Sequence, residues 1–220
     1  AVIYFIKMYE PAIKHVHYRH SFSLRPREIK NFVNKNTNFV FFTVFLVSLS
    51  FAVNVASPFF ALYMLKNLNI GYVLFGALVA FEALIVILFQ PYWGYMNDKY
   101  GERNIMIITS IFIVFVPFIW LFVSSPLHII GANFLSAFAW SGFDLAAFDY
   151  LLGVTPSAKR PQYVANHNVM RGLSIVFGAL IGGILAEYWL SSSFFWLTGL
   201  QIIFLLSFIL RIISLGFITK

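Results

Sequence analysis

From residue 38 onward the chain reads as six long apolar stretches divided by short polar breaks. The stretches cover about 38–65, 71–92, 104–124, 127–153, 162–188 and 194–217. The breaks are Lys66-Asn67-Leu68-Asn69, the run from Gly94 to Asn104, Ser124-Ser125-Pro126, the run from Gly153 to Pro161, and Ser191-Ser192-Ser193. Each stretch supplies the roughly 20 mostly apolar residues needed to cross about 30 Å of hydrocarbon. Continuous runs of this length predict helices, because a membrane barrel is written in alternating segments of about 10 residues. The expected fold class is all-α: a polytopic membrane protein, a bundle of six transmembrane helices.

Composition agrees and removes alternatives. Of 220 residues, 60% are hydrophobic and only 10% charged, so there is too little polar surface to coat a water-soluble globule. The same arithmetic excludes a disordered tail. Absence of cysteine excludes disulfide scaffolds, thiol chemistry and cysteine zinc sites. Phe and Trp, 27 and 5 residues, are abundant enough to coat lipid-facing surfaces and do not by themselves indicate a ligand.

Residues 1–36 stand apart. They carry Lys7, Lys14, Arg19, Arg25, Arg27, Lys30 and Lys35 against Glu10 and Glu28. The segment lacks the aromatic interleaving of a nucleic-acid reader, so no nucleic-acid partner is expected, and it has no signal-peptide cleavage pattern. Ala1 to Met8 reads as the tail of a preceding apolar helix. Arg25-Pro26-Arg27-Glu28 opens a short basic helix to about Lys35, with proline suited to a first turn, lying along the inner membrane surface. Residues 1–37 are therefore read as a basic cytoplasmic linker and 38–220 as the bundle, with further chain expected upstream. Placing the linker inside and crossing six times also puts Lys99, Arg103, Lys159, Arg160 and Lys220 inside, leaving Lys66 alone in the outer loops. Twelve basic residues against one predict that both ends of this chain are cytoplasmic. Arg211 lies near that side and is expected to snorkel.

The most specific local pattern lies between the second and third stretches: Gly94-Tyr95-Met96-Asn97-Asp98-Lys99-Tyr100-Gly101-Glu102-Arg103, of the form G-x-x-x-D-[RK]-x-G-x-[RK]. Gly94 and Gly101 permit a tight turn between antiparallel helices. Asp98 can meet a neighbouring helix N-terminus, and Lys99 and Arg103 supply positive charge and ion-pair partners. This pattern resembles the loop signature of the major facilitator superfamily of transporters, placed after the second helix of each six-helix half. The preceding linker, Ala56-Ser57-Pro58-Phe59-Phe60 in the first stretch and Gln90-Pro91-Tyr92-Trp93-Gly94 before the loop look like the C-terminal half of such a protein. The resemblance covers essentially the whole chain. It implies a small-molecule substrate bound between two halves, the N-terminal six-helix half of the same protein or a second copy being the partner.

Ionisable residues inside spans are costly and mark functional candidates. Glu82 lies about 16 Å into the second span with no basic partner at that depth, which favours its neutral form. That suits a proton-coupling carboxyl, and equally a neutral hydrogen-bonded glutamate with no transport role. In the fourth span Asn133, Ser136, Trp140 and Asp144 share a stripe about 80° wide, whereas Asp149 lies about 160° from Asn133. Asp144 with Asn133 and Trp140 is thus a candidate pathway group. Asp149 sits near the cytoplasmic end, within reach of Arg103. The resemblance implies that an acid at this helix end pairs with a basic loop residue and locks one conformational state, so Asp149 joins Gly94, Asp98, Lys99, Gly101 and Arg103 as a gating set. In the fifth span His167, Arg171, Ser174 and Gly178 share a stripe about 60° wide. Helices four and five, joined by a short loop, are expected to pack antiparallel and bring Asp144 and Arg171 to one depth as an ion pair, either structural or engaged in substrate or proton handling. Asn54 in the first span is a candidate for substrate hydrogen bonding, or for satisfying the backbone opened by Pro58. The run Ser174 to Gly183 is similar to a glycine-rich antiporter run of the same superfamily, but Ala179 stands at its proline position and close helix packing accounts for it better.

No catalytic constellation, metal ligand set or cofactor-binding pattern is present, so the chain is not read as an enzyme and no cofactor is expected. The first reading is a secondary transporter of a small solute by alternating access, in the cell membrane, this chain being the C-terminal half. The other is a non-transporting membrane scaffold that keeps the half-fold. Substrate, coupling ion and the choice among uniport, symport and antiport stay open.

Overall fold

A computed structural model describes residues 36–189, 193–194 and 197–217. The basic first segment, including its expected surface helix, lies outside the described residues. Among the described residues six α-helices follow one another: α1 (Thr37–Leu62), α2 (Tyr72–Tyr100), α3 (Glu102–Ile119), α4 (Pro126–Val154), α5 (Arg160–Trp189) and α6 (Gly199–Leu215). A π-helical turn, Tyr63–Asn67, extends α1, and a 3-10 turn, Ser157–Lys159, leads into α5. Two antiparallel two-residue strands, β1 (Ser193–Phe194) and β2 (Leu197–Thr198), precede α6.

Three boundaries differ from the hydropathy reading. α3 ends at Ile119 rather than near 124, the chain tightening there into turns closed by Leu121 N–H to the Phe118 carbonyl and Phe122 N–H to the Ile119 carbonyl. α2 does not end near residue 92 but runs 29 residues to Tyr100, about 43 Å, longer than the hydrocarbon is thick. Apolarity stops at the membrane surface; backbone hydrogen bonding continues until Gly101, whose φ of 83° breaks the helix. α6 starts at Gly199 rather than 194 because Thr198 and Gln201 form a capping box there. Its 17 residues span about 26 Å, one residue fewer than α3, at the short end of the spanning range; the other five are long and apolar enough to cross.

The packing has an order that hydropathy does not reveal. α1 packs on α5 and α6, α4 packs on α2 and α3, and α3 meets α6. Exchanging α1, α2 and α3 for α4, α5 and α6 maps this pattern onto itself. Odd and even helices run in opposite directions, so the second three-helix unit is inverted relative to the first, as in the nested repeats of many transporters. Burial follows the same exchange: 56% and 50% of the most apolar windows of α1 and α4 are buried, against 11% and 22% for α2 and α5.

Small residues set the closest approaches. A Cβ on Gly178 of α5 would lie 2.6 Å from the Phe51 carbonyl oxygen of α1, and one on Gly182 would overlap the Val55 backbone. At the equivalent α2–α4 seam, Gly142 receives the face of Trp93, whose Nε1 donates to the Phe138 carbonyl at 2.8 Å. Within lipid no hydrophobic force draws helices together, so this close backbone contact is a main source of attraction. The interior divides into two apolar clusters. One gathers Val55, Tyr63, Trp120, Ile129 and Phe204; the other gathers Phe45, Leu49, Met106, Phe143 and Leu151. Buried Ser50, Asn133, Ser174 and Ser207 lie between them along their helices.

Candidate functional site

The polar residues of the middle layer come from four helices, and three of them, α1, α4 and α5, meet around one ion pair. α4 and α5 do not pack directly on each other as their short connection suggested; α5 lies along α1 instead. Across the gap so formed, Arg171 Nη2 of α5 stands 3.9 Å from Asp144 Oδ1 of α4. Their side chains are 38% and 62% exposed. Arg171 Nε donates to Ser50 Oγ of α1 at 3.3 Å. At 3.9 Å the carboxylate is an ion-pair partner without a hydrogen bond, so most of the five guanidinium N–H groups keep donor capacity. A half-open cation and anion side by side can receive a solute offering both acceptors and donors.

Two neighbours on the same α5 stripe have turned inward. Ser174 Oγ donates to the Val47 carbonyl at 2.9 Å. His167 is 2% exposed, with Nδ1 3.4 Å from Thr43 Oγ1 and its ring stacked on Phe42. Both serve the α1–α5 seam rather than the gap. The Asn54 amide donates to the Ser50 carbonyl at 2.8 Å. That is not the carbonyl opened by Pro58, which belongs to Asn54 itself, four residues earlier. The α4 stripe also divides. Asn133 is buried, Trp140 is half-buried with its ring edge-to-face on Phe143, and Asp144 alone is exposed. Glu82 is half-buried in α2, with no basic group within ion-pair distance among the described residues.

The glycine-bounded motif is mostly helix. Gly94 to Tyr100 form the last turns of α2, Gly101 alone makes the turn, and α3 starts at Glu102. Gly101 N–H closes the helix onto the Asn97 carbonyl at 2.9 Å. Asp98 and Lys99 are exposed, Lys99 Nζ lying 5.1 Å from the Tyr100 ring centroid. Arg103 lines a cavity of about 90 Å³ with Thr37, Asn38, Phe42 and Tyr150. The Asp149 carboxylate is held by a residue the sequence reading passed over: Asn97 Nδ2 donates to Asp149 Oδ2 at 2.7 Å. A signal for Asn97 was present, since it lies one turn beyond Trp93 on the buried side of α2.

The snorkelling expected of Arg211 does not occur. Its side chain is 2% exposed; Nη1 donates to the Ile113 carbonyl at 2.7 Å and Nε to Ser207 Oγ at 3.2 Å. Pro117 explains the position. Ile113 O would ordinarily accept from the N–H of residue 117, proline has none, and the guanidinium of α6 supplies the missing donor.

An inverted pair of three-helix units, here with an ion pair inside its apolar helices, is the arrangement of the nested repeats of many transporters. The sequence profile of the Major Facilitator Superfamily matches residues 40–217, and the chain belongs to that superfamily. A lactose permease of Klebsiella pneumoniae is 35% identical over 92 residues, 41% of this chain and 70% of that protein. A multi-drug resistance efflux pump PmrA homolog of Lactococcus lactis subsp. lactis is 26% identical over 166 residues, 72% of this chain. The class B tetracycline resistance protein of Escherichia coli is 26% identical over 121 residues, 55% of this chain. The matches span only 41% and 30% of the length of the last two relatives.

Proposed function

We propose that this chain is the C-terminal six-helix half of a secondary transporter that moves a small solute across the cell membrane by alternating access. The other half, upstream in the same protein or a second copy, faces the gap between α4 and α5, and both ends of this chain are cytoplasmic. The observation that carries the reading is the Arg171–Asp144 pair: it is half-open, lies well inside two apolar helices, and lacks a direct hydrogen bond. Keeping two ionised groups there is costly, and a closed structural pair would bury them and hydrogen-bond them fully. Gly94, Asp98, Lys99, Gly101, Arg103 and Asp149 form the gate, and Glu82 is the coupling carboxyl.

The test uses the complete protein in proteoliposomes with a panel of sugars and drugs, beginning with lactose and tetracycline, which the names of two relatives suggest. Asp144→Asn and Arg171→Gln should each cut uptake of a transported solute to a tenth or less. The double substitution, which removes both charges, should not restore it. Restoration would make the pair structural and sink its pathway role; no uptake of any solute would favour a scaffold.

Glu82 has its own signature. Glu82→Gln should abolish accumulation driven by a proton gradient while sparing counterflow exchange, because only net transport requires the carboxyl to release its proton. Unchanged accumulation would remove Glu82 from coupling.

A further inference from the structure

Asn97 holds the Asp149 carboxylate, yet half of its own amide is unsatisfied. The residue is 7% exposed; Nδ2 makes the 2.7 Å bond to Asp149, while the buried Oδ1 has no donor. Exchanging the amide O and N would not help, since an oxygen would then face the carboxylate. An orphaned buried acceptor is uncommon and calls for an explanation. Packing does not require this one: the seam is already closed by Trp93 against Gly142, one turn away.

We propose that Asn97 is the positioning residue of the gate, a reversible latch between α2 and α4. The inference deepens the gating role given above to the motif. In the present state the charge-assisted bond fixes Asp149 on α2. Oδ1 pays for that closure by losing water, and recovers it when the ends of α2 and α4 part. The favourable bond and the unfavourable orphan oppose each other, so the contact orients the helices without trapping them. A two-state transporter needs this near-balance, because a solute can shift the equilibrium only by its differential affinity for the two states.

These 220 residues hold no cysteine, so once any cysteine of the other half is replaced by serine, a pair of spin labels reports on the two chosen positions alone. Tyr100→Cys at the end of α2 and Ser157→Cys just beyond α4 are both exposed. In the complete protein in nanodiscs, distances between these labels report the separation of the two helix ends. Asn97→Asp sets two carboxylates against each other and should raise the ratio of long to short distances about tenfold or more. Asn97→Asp with Asp149→Asn rebuilds the same bond in reverse and should return the distribution to that of the parent. Asp149→Asn alone, a change of almost no volume, should give a smaller shift and keeps the test informative if Asn97→Asp folds poorly. An unmoved distribution in Asn97→Asp, or failure of the reversed pair to restore it, overturns the latch. Restored distances with a solute exchange rate indifferent to all three variants would leave the contact standing and overturn the gating role beneath it.

Discussion

Replacing Arg211 by methionine should destabilise the protein by about 2–3 kcal/mol, and the same replacement should cost markedly less once Pro117 is alanine. Methionine fills much of the space, so the loss is chiefly one of hydrogen bonding. The guanidinium gives Ile113 O the donor that Pro117 withholds and also bonds Ser207 Oγ. Bonds from an ionised donor contribute about 1.5–3 kcal/mol, and a buried acceptor left empty costs about 1–3 kcal/mol. Removing a charge from the interior returns part of its desolvation cost, which keeps the net figure in the lower range. Alanine at 117 restores an N–H to the helix, so Ile113 O is satisfied with or without Arg211. A double-mutant cycle on unfolding in mild detergent should therefore show coupling of about 1–2 kcal/mol. Additive effects would mean that Arg211 is held by something other than the proline-freed carbonyl.

The second large effect separates two adjacent glycines. Gly182→Ala should destabilise the α1–α5 seam by about 1–3 kcal/mol or more, while Gly183→Ala should be neutral or slightly stabilising. A methyl group at 182 would occupy the space of the Val55 backbone, which cannot rotate away as a side chain would. At 183 nothing lies within 4 Å of the added carbon, and alanine favours the helix over glycine. Gly178→Ala, at 2.6 Å from the Phe51 carbonyl oxygen, should behave like 182. Thermal inactivation of the three variants would check the order; equal behaviour of 182 and 183 would discard the backbone-contact account.

These two predictions also mark what was readable in the chain and what was not. Long apolar runs bounded by Ser, Asn and Gly locate six helices, because in hydrocarbon a backbone must satisfy itself within each segment. The same runs do not say which helix touches which, since lipid-facing and partner-facing residues are both apolar. The pairing of α5 with α1 therefore had to come from the structure, although Gly178 and Gly182 announced a close approach to something. Asp144 and Arg171 could be set at one depth by counting residues from their helix ends. Arg211 was misplaced by the same counting, because depth alone ignores the carbonyl that Pro117 leaves open on α3. Asn97 escaped notice because the superfamily pattern leaves its position free, while the buried side of α2, set by Leu78, Ile85 and Trp93, leads to it.

The parallel seam between α1 and α5 bears on how the chain is made. Val47 meets Ser174 across 127 residues, so at about 5–20 residues per second α1 waits roughly 6–25 s for its main neighbour to be synthesised. During that interval it must survive in the bilayer without it. Its most polar mid-span side chain is suited to waiting, since the Asn54 amide is already bonded to the Ser50 carbonyl of its own helix. The groups that need a foreign partner, His167, Arg171 and Ser174, sit on the later helix and emerge when that partner is in place. At this seam, therefore, the polar groups that need a partner on another helix are inserted after the surface that receives them.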